Sequence, residues 1–387
     1  MPLRTLDQLD VEGRRVLVRS DLNVPIDKDG RVADQTRIRA AARTINEILK
    51  RGGLPIVLSH LGRPKGKVDP ALSLRQLVDP LSRALGGKRV IFSDNCIGLN
   101  SRMATNGQAS GGGPAVVLLE NVRFHPGEKE NDPDFADALA GVGELYVNDA
   151  FSAAHRAHAS IVGLAERRPA AAGRLMEAEL EGLNRLLKEP EHPYMALFGG
   201  AKVGTKFGAF GALVGATDVA AFGGGMANTF LHAQGVDVGV SLYDPDMAEE
   251  ARSILERARA ANCDVLLPSD AVIAKEAGPG AKRRTVPVGA VPEDWMILDL
   301  GPESVARIIE RIRQARTLVW NGPVGATGNG FIDGTQAIAE AIAERTREGA
   351  LTSVVGGGDT VAVLGRIGLL DAFTHLSLAG GAFLEWL

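Results

Sequence analysis

Eight short apolar runs in this sequence each end in a tip of glycine, charged or hydrogen-bonding residues. The runs are Val16–Val18, Ile56–Leu58, Val116–Leu119, Leu145–Val147, Met195–Phe198, Val219–Phe222, Leu318–Trp320 and Val354–Val355. Segments rich in Ala, Leu and Glu with helical spacing lie between the tips, among them Arg39–Lys50, Glu249–Ala261 and Gln336–Arg347. Apolar runs that alternate with helices predict βαβ units and a parallel sheet buried on both faces. Because such folds bind ligands beyond the carboxyl ends of their strands, the tips are candidate site residues.

The tips of the two halves of the chain differ in chemistry. First-half tips carry arginine repeatedly, at Arg37, Arg63, Arg123 and Arg156. An arginine fork recognises carboxylate or phosphate through two parallel hydrogen bonds, so the first half is predicted to bind a small polyanion. Second-half tips carry glycine, lysine and aspartate. Glycine lets backbone amides approach phosphates, so the second half is predicted to bind a nucleotide.

A length of 387 residues suits two domains better than one. The boundary is expected near Arg167–Pro169, just before the helical segment Leu175–Leu187. We therefore expect an α/β fold with two doubly wound parallel-sheet domains of similar size, residues 1–170 and 171–387, joined by a helix. The anion site and the nucleotide site are expected to face each other across a cleft.

The stretch VVGGGDT at residues 354–360 has three consecutive glycines, which carry no side chains, followed directly by the carboxylate of Asp359. A strand that ends in glycine before a helix leaves free N–H groups that suit a phosphate, with Asp359 available for a metal. The alternative is a tight turn in which Asp359 is the helix N-cap. The stretch taken by itself leaves both interpretations open.

The bulk composition excludes several classes of protein. A net charge of −4 provides no basic excess for nonspecific binding to nucleic acid. The two cysteines, Cys96 and Cys263, match no metal-ligand spacing and indicate a reducing compartment. No apolar run is long enough to span a bilayer, and the N-terminal segment lacks the apolar core of a signal peptide. A cytoplasmic protein without nucleic-acid or membrane partners is expected.

A polyanion site and a nucleotide site in one chain suggest phosphoryl transfer. That reaction needs cations around the moving group, a metal held by a carboxylate, and exclusion of water. Arg37, Lys202 and Asp359 are the candidates for the cations and the metal ligand. The segment Gly199–Lys206 lacks the spacing of a P-loop, so a kinase of that class is excluded.

Seven motifs together resemble the phosphoglycerate kinase family, and they occur in that family's order. They are SHLGRPKG at residues 59–66, LENVRFHPGEK at 119–129, AHRAHAS at 154–160, GGAKV at 199–203, GGGMANTFL at 223–231, WNGPVG at 320–325 and GGGDT at 356–360. The resemblance implies two Rossmann-like domains and a hinge-bending glycolytic monomer. It also implies reversible Mg-dependent phosphoryl transfer between 1,3-bisphosphoglycerate and ADP, giving 3-phosphoglycerate and ATP.

The resemblance assigns roles to individual residues of this sequence. The implied substrate-binding residues are Asp21, Asn23, Arg37, His60, Arg63, Arg123 and Arg156. The implied catalytic residues are Arg37, Lys202, Gly357 and Gly380. The implied nucleotide-binding residues are Lys206, Gly223, Gly224, Gly225, Asn321, Pro323, Gly356, Gly357, Gly358, Asp359 and Thr360, and Asp359 is the implied Mg²⁺ ligand. His158 follows in the AHRAHAS motif, where it either packs or contacts the substrate.

Four departures from the family pattern bear on activity. The segment Ala326–Asn329 has no acid where the family has a glutamate that accepts hydrogen bonds from the ribose, and Asn329 is a candidate substitute. The segment Ser377–Gly381 lacks a threonine hydroxyl and one glycine of a phosphate-orienting loop, and Phe151–Ala154 differs beside the arginines. The chain also ends at Leu387, whereas relatives are expected to continue for a further segment.

Two other classes of function compete with an active kinase. A catalytically impaired paralogue could bind phosphoglycerate or nucleotide as a sensor or an interaction protein. Retention of Arg37, Lys202 and Asp359 favours the enzyme, because a binding relic has no chemical need for all three. A dinucleotide-dependent dehydrogenase is disfavoured, because no GxGxxG motif follows the first predicted strand.

Overall fold

The computed structural model describes residues 3–98, 100–104, 115–188, 190–201, 203–379 and 381–386. The chain divides into two compact units, unit 1 at Met1–Leu180 and unit 2 at Glu181–Leu387. The helix Arg174–Leu187 carries the chain from one unit into the next. The division falls later than the boundary expected at 170/171, because the first turn of this helix is hydrogen-bonded to unit 1 through Asp149 and Glu47.

Unit 1 contains a parallel sheet of six strands. The strands are β1 Arg15–Ser20, β2 Leu54–Leu58, β3 Arg89–Ser93, β4 Ala115–Leu119, β5 Leu145–Asp149 and β6 Ala170–Ala172. Their order across the sheet is β3-β4-β2-β1-β5-β6, and every neighbouring pair is parallel. The four apolar runs predicted for the first half lie in β1, β2, β4 and β5, so that prediction is confirmed.

Both faces of this sheet are buried, which explains why its strands are apolar without alternation. Val16 and Val18 point into a cluster that includes Ile45, whereas Leu17 between them points into a second cluster that includes Leu139. Each of these side chains is fully buried, and such burial stabilises the fold by about 1.5–3 kcal/mol per side chain. The charged side chains of these strands therefore lie at or next to the strand ends.

The helices of unit 1 cover these two faces. They are α1 Thr36–Lys50, α2 Val78–Ala84, α3 Gly127–Glu130, α4 Pro133–Ala140, α5 Phe151–Ala154, α6 Leu164–Arg167 and α7 Arg174–Leu187. Helix α4 begins where local chemistry predicts it, because Asp132 accepts a hydrogen bond from Phe135 N at 2.8 Å and Pro133 occupies the first helical position. No helix within the described residues is both long enough and apolar enough to cross a bilayer.

Unit 2 contains a second parallel sheet of six strands. Its strands are β7 Tyr194–Phe198, β8 Val219–Phe222, β9 Asp264–Leu266, β13 Thr317–Asn321, β14 Thr352–Gly356 and β15 His375–Leu376, in the order β15-β14-β13-β7-β8-β9. Its helices are α8 Val203–Leu213, α9 Gly224–Ala233, α10 Ala248–Ala260, α11 Pro302–Gln314, α12 Asp333–Arg347, α13 Gly358–Arg366 and α14 Gly381–Trp386. The four second-half runs all lie in this sheet, so the α/β fold class with two parallel sheets is confirmed.

A three-stranded antiparallel sheet in unit 2 was not predicted from the sequence. It is formed by β10 Asp270–Ala274, β11 Arg284–Pro287 and β12 Met296–Leu300, in the order β11-β10-β12. It packs on a small cluster around Ala271, Ile273 and Trp295. Each of these strands has four or five residues and β11 is largely exposed, so their apolar signal is weaker than that of the central strands.

Each parallel sheet has a central strand from which the chain winds outward in both directions. In unit 1 this strand is β1, which lies between β2 and β5. In unit 2 it is β7, which lies between β8 and β13. Ligands of doubly wound folds bind beyond the carboxyl ends of strands at this reversal of strand order. The segments that follow Ser20 and Phe198 are therefore the expected centres of two sites.

We predict that Asp149→Ala destabilises unit 1. The buried Asp149 Oδ1 accepts hydrogen bonds from Leu175 N at 2.8 Å and Met176 N at 3.2 Å, at the start of α7. Loss of both bonds should lower the free energy of unfolding by about 1–3 kcal/mol, measured by urea denaturation of the full chain. The exposed Asp134→Ala is the control and should change it by less than about 0.5 kcal/mol. Equal effects of the two variants would contradict this account of the helix start.

Candidate active site

The carboxyl ends of the central strands in unit 1 bring the predicted anion-binding residues together. Asp21 follows β1 and is almost fully buried, and its Oδ2 accepts hydrogen bonds from Arg37 Nη1 at 2.8 Å and Ser152 Oγ at 2.6 Å. Asn23 accepts from Gly62 N at 2.9 Å, which connects the loop after β1 to the loop after β2. Arg37 Nη1 also donates to Asn23 O at 3.1 Å, so Asp21, Asn23 and Arg37 form one hydrogen-bonded group.

Arg123 lies at the centre of a set of like charges. Its Nη1 donates to Gly62 O at 3.0 Å, whereas its buried Nε has no hydrogen-bond partner. Burial, followed by the positive charges of Arg19 and Arg156 and a smaller effect of Arg63, lowers the pKa of Arg123 to about 10. Cations that repel one another and lack full pairing are stabilised by an anion, so this cluster is suited to a multiply charged ligand.

His60 is buried and makes its hydrogen bond to an arginine that sequence analysis did not assign to the site. Arg19 Nη2 lies 3.0 Å from His60 Nδ1, and Arg19 is fully buried at the end of β1. Burial and the charges of Arg19 and Arg123 hold the pKa of His60 well below its ordinary value, so the ring is neutral at physiological pH. The sequence shows that Arg19 directly follows the apolar run Val16–Val18, but it does not show that the side chain points inward.

His155 and His158 have different environments. His155 is exposed and lies 2.8 Å from Arg156 Nε through its Nε2. His158 is buried, with Nδ1 at 3.7 Å from Glu128 Oε1. Burial, Arg123, Arg19 and Arg156 lower the pKa of His158 to about 4. The packing alternative for His158 therefore matches its position, and Arg156 remains exposed as an available cation.

Unit 2 contains a cavity of about 940 Å³ at the carboxyl ends of its central strands. Predicted nucleotide-binding residues in its lining are Gly224, Gly225, Pro323 and Asp359. Apolar side chains of Val240, Leu242 and Met296 form another part of the wall. A cavity of this volume with an apolar wall and a few polar groups matches the usual site of a nucleotide-sized ligand.

The VVGGGDT stretch forms the end of β14 and the start of α13. Gly357 is the N-cap of α13 and has φ +100°, a conformation that favours glycine. The alternative in which Asp359 is the N-cap is therefore wrong. The first N–H groups of α13 precede the first intrahelical bond, from Val361 N to Gly357 O, and so suit a phosphate.

Asp359 fits the role of a magnesium ligand. It is exposed on the first turn of α13, lines the cavity, and has no hydrogen bond or ion pair within the described part of the chain. No group of three or more His, Cys, Asp or Glu residues that could hold a metal occurs among the described residues. Mg²⁺ in kinase sites commonly takes one or two carboxylates together with water and substrate phosphates, so a single carboxylate is compatible with it.

Several predicted nucleotide-binding residues lie behind the cavity rather than in the described part of its wall. Lys206 is buried, with its ammonium donating to Gly199 O. Gly223 packs so tightly that an added Cβ would lie 2.5 Å from Val324 Cβ, and Gly356 is similarly close to the Phe383 ring. Thr360 is buried and accepts from Gly322 N at 2.9 Å, beside the buried Asn321. These residues shape the wall by backbone and packing contacts in this structure.

The segment that departs from the family's ribose-binding pattern also lines the cavity. Gly328 has no atom within 4 Å of where a Cβ would lie, so the wall is open there. Asn329 Nδ2 donates to Ala277 O at 3.3 Å, which leaves its Oδ1 as an acceptor. Arg366 donates to Thr327 O at 3.3 Å and is the one cation in the described lining. Two proposed catalytic residues, Lys202 and Gly380, lie outside the described residues.

Two parallel-sheet α/β units, one with an arginine cluster and one with a nucleotide-sized cavity at the carboxyl ends of its strands, match what a two-domain phosphotransferase requires. The family described as phosphoglycerate kinase matches residues 6–387. The chain is 52% identical over 388 residues to a phosphoglycerate kinase of Cereibacter sphaeroides, covering 100% of this chain and 97% of that protein. It is also 53% identical to a phosphoglycerate kinase of Methylorubrum extorquens, covering 99% of this chain and 95% of that protein. The chain belongs to the phosphoglycerate kinase family.

A solved structure supports the same assignment of the fold. The structure of phosphoglycerate kinase from Coxiella burnetii superposes with a TM-score of 0.84 at 37% identity, covering 100% of this chain and 96% of that one. The resemblance inferred from the seven motifs is thereby confirmed.

We predict that acid destabilises the protein through its buried histidines. His158 is neutral in the folded protein, whereas in the unfolded chain it gains a proton below its ordinary pKa of about 6.5. The contribution of the neutral His158 to the free energy of unfolding is therefore fully present above pH 6.5 and is lost as the pH falls toward about 4. Urea denaturation at several pH values should show this decline, and His158→Asn should reduce it. His232→Asn is the control, and an equal reduction there would contradict the assignment.

Proposed function

We propose that the protein catalyses reversible Mg-dependent phosphoryl transfer between 1,3-bisphosphoglycerate and ADP, giving 3-phosphoglycerate and ATP. Full-length membership of the family is the observation that carries this proposal. The structure supports it with an arginine cluster in unit 1 and a nucleotide-sized cavity in unit 2, each at the carboxyl ends of a parallel sheet.

The arginine cluster of unit 1 is suited to the glycerate substrate. Arg63 and Arg156 are exposed, and Arg123 has an unpartnered buried Nε, so all three retain donors for a phosphate. Asp21 and Asn23 are the proposed contacts of the hydroxyl and carboxylate end. Asp21 already holds Arg37 at 2.8 Å, so Arg37 is positioned close to that end of the substrate.

The chemistry requires positioning and charge stabilisation rather than acid–base work by the protein. In the direction of ATP consumption, a carboxylate oxygen of 3-phosphoglycerate attacks the γ-phosphorus, and the bond from that phosphorus to the β-phosphate oxygen breaks. The attacking carboxylate is already ionised at neutral pH, so no general base is needed. Arg37 and Lys202 are the proposed cations that stabilise the transferring group. Bound Mg²⁺ neutralises phosphate charge, and Asp359 is its proposed ligand.

The backbone amides at the start of α13 are the proposed contacts of the β- and γ-phosphates. Gly357, Gly358 and Thr360 provide N–H groups at this position, and glycine at the cap leaves room for a close approach. Lys206 is proposed to reach the α-phosphate by rotating away from Gly199 O. By resemblance, we also propose a cytoplasmic, hinge-bending monomer.

A coupled assay with 3-phosphoglycerate, ATP and Mg²⁺ tests the proposed function directly. We expect saturable ADP formation that depends on all three. The alternative is an impaired paralogue that binds phosphoglycerate or nucleotide without phosphoryl transfer. Ligand binding without turnover would support that alternative and overturn the proposal.

We predict that Asp359→Asn weakens the use of Mg²⁺. Removal of the carboxylate's charge should raise the Mg²⁺ concentration for half-maximal activity by about tenfold or more, since the metal then depends on phosphate and water ligands alone. The exposed Asp371→Asn in the same unit is the control and should leave that concentration unchanged. An unchanged Mg²⁺ dependence in Asp359→Asn would remove Asp359 from the metal site.

We predict that Gly328→Glu tightens ADP binding. The resemblance implies a ribose-binding glutamate in this segment, and Gly328 lines the cavity with open space at its Cβ. A charge-assisted hydrogen bond of about 1–3 kcal/mol corresponds to about five- to hundredfold in affinity. Calorimetry of ADP binding measures it, with Gly289→Glu as a control that is also sterically open. Unchanged affinity in Gly328→Glu, together with unchanged affinity in Asn329→Ala, would show that this segment does not contact the ribose.

A further inference from the structure

A chain of buried polar groups lies beneath the arginine cluster of unit 1. Arg19, Glu128 and Ser160 are each fully buried, although they come from β1, α3 and the turn Ala159–Gly163. Arg19 Nε donates to Ser160 Oγ at 2.8 Å, and Ser160 Oγ donates to Glu128 Oε1 at 2.6 Å. Glu128 Oε2 also accepts from Ser160 N at 2.9 Å. The hydroxyl of Ser160 therefore connects a buried guanidinium to a buried carboxylate.

The charges of this chain compensate one another. Burial raises the pKa of Glu128, and the charge of Arg19 with the hydrogen bonds from Ser160 acts in the opposite direction. A fully buried guanidinium is costly unless a negative charge and hydrogen bonds compensate it. Glu128 supplies that charge through Ser160, while Arg19 Nη1 donates to Ser20 O at 2.7 Å. Arg19 is thus held on one side by the strand end and on the other by Glu128.

The third nitrogen of the Arg19 guanidinium, Nη2, determines the tautomer of His60. Arg19 Nη2 lies 3.0 Å from His60 Nδ1, and a guanidinium can only donate. His60 Nδ1 must therefore be the acceptor, which places the proton of the neutral ring on Nε2. A neutral histidine with Nε2–H can donate to a substrate oxygen through that atom, whereas the other tautomer cannot.

We propose that the buried chain Glu128–Ser160–Arg19 is a positioning device of the anion site, which orients Arg19 and through it holds His60 in the Nε2–H tautomer. None of these three groups needs to touch the substrate. The link from this device to catalysis rests on the proposed function, whereas the tautomer of His60 does not depend on it.

The tautomer is measured by two-bond ¹H–¹⁵N correlation spectra of the full-length protein labelled at histidine. Comparison with His60→Gln identifies the His60 signals. We expect the unaltered protein to show Nε2–H for His60, and Ser160→Ala and Glu128→Gln to show a mixture of tautomers. Ser93→Ala is the matched control, because Ser93 is also a buried serine of unit 1 whose hydroxyl donates, to Asn95 O at 2.8 Å. It should lower the melting temperature without changing the tautomer.

Kinetics then separates positioning from a loss of stability. Ser160→Ala should raise KM for 3-phosphoglycerate by about three- to tenfold, the effect of one hydrogen bond, with KM for ATP within about twofold. In the double variant Ser160→Ala/Glu128→Gln, the rise in KM for 3-phosphoglycerate should be smaller than the two single variants together predict. Both substitutions interrupt the same hydrogen-bonded chain, so their effects should not add. A variant that merely unfolds in part would lower kcat and leave both KM values unchanged.

Three results would overturn the proposal. The first is an Nδ1–H tautomer of His60 in the unaltered protein, which decides the matter even where a variant does not fold. The second is an unchanged tautomer in both folded variants. The third is an altered tautomer in the variants together with an unchanged KM for 3-phosphoglycerate. That result would show that the tautomer of His60 does not affect substrate binding. A protein that lacks phosphoglycerate kinase activity but shows the expected tautomers would contradict the proposed function alone.

Discussion

Burial of both faces of each parallel sheet is the constraint on which the rest of this structure depends. Because helices cover both faces, side chains in the middle of the strands must be apolar, as Val16, Leu17 and Val18 are. Charged side chains then occur at or next to the ends of the strands. The carboxyl ends meet at one edge of each sheet, so residues far apart in sequence, such as Asp21, Gly62 and Ser152, become neighbours there.

The two units are suited to anions by different physical means. Unit 1 concentrates arginine side chains, and burial together with the neighbouring positive charges lowers the pKa of Arg123, whose buried Nε has no hydrogen-bond partner. Unit 2 uses glycine and the start of a helix, where backbone N–H groups carry partial charge and no side chain intervenes. The first arrangement suits a small ligand with several charges, and the second suits a polyphosphate whose chain must approach the backbone closely.

The sequence predicted candidate ligand-binding groups at the strand ends, but few of the buried groups that hold them in place. Arg123 and Asp359 follow apolar runs at the strand tips, whereas Arg37 lies in α1 and is implied by the family resemblance. The sequence did not reveal the roles of Arg19, Glu128 and Ser160, because a buried hydrogen-bonded chain has no periodic signature and its bonded members are 32 to 141 residues apart. Lys206 and Gly223 were expected at the nucleotide, but packing places them behind the described wall of the cavity.

Local sequence chemistry by itself determined the alternation of strands and helices, the parallel sheets and the family of the chain. These depend on hydrophobic periodicity, on glycine and on short motifs, all of which act over a few residues. Only the tertiary structure decided which arginine turns inward, which ring nitrogen of His60 accepts a hydrogen bond, and that Gly357 rather than Asp359 caps its helix. Those outcomes depend on distances between segments remote in sequence and on the exclusion of water from between them.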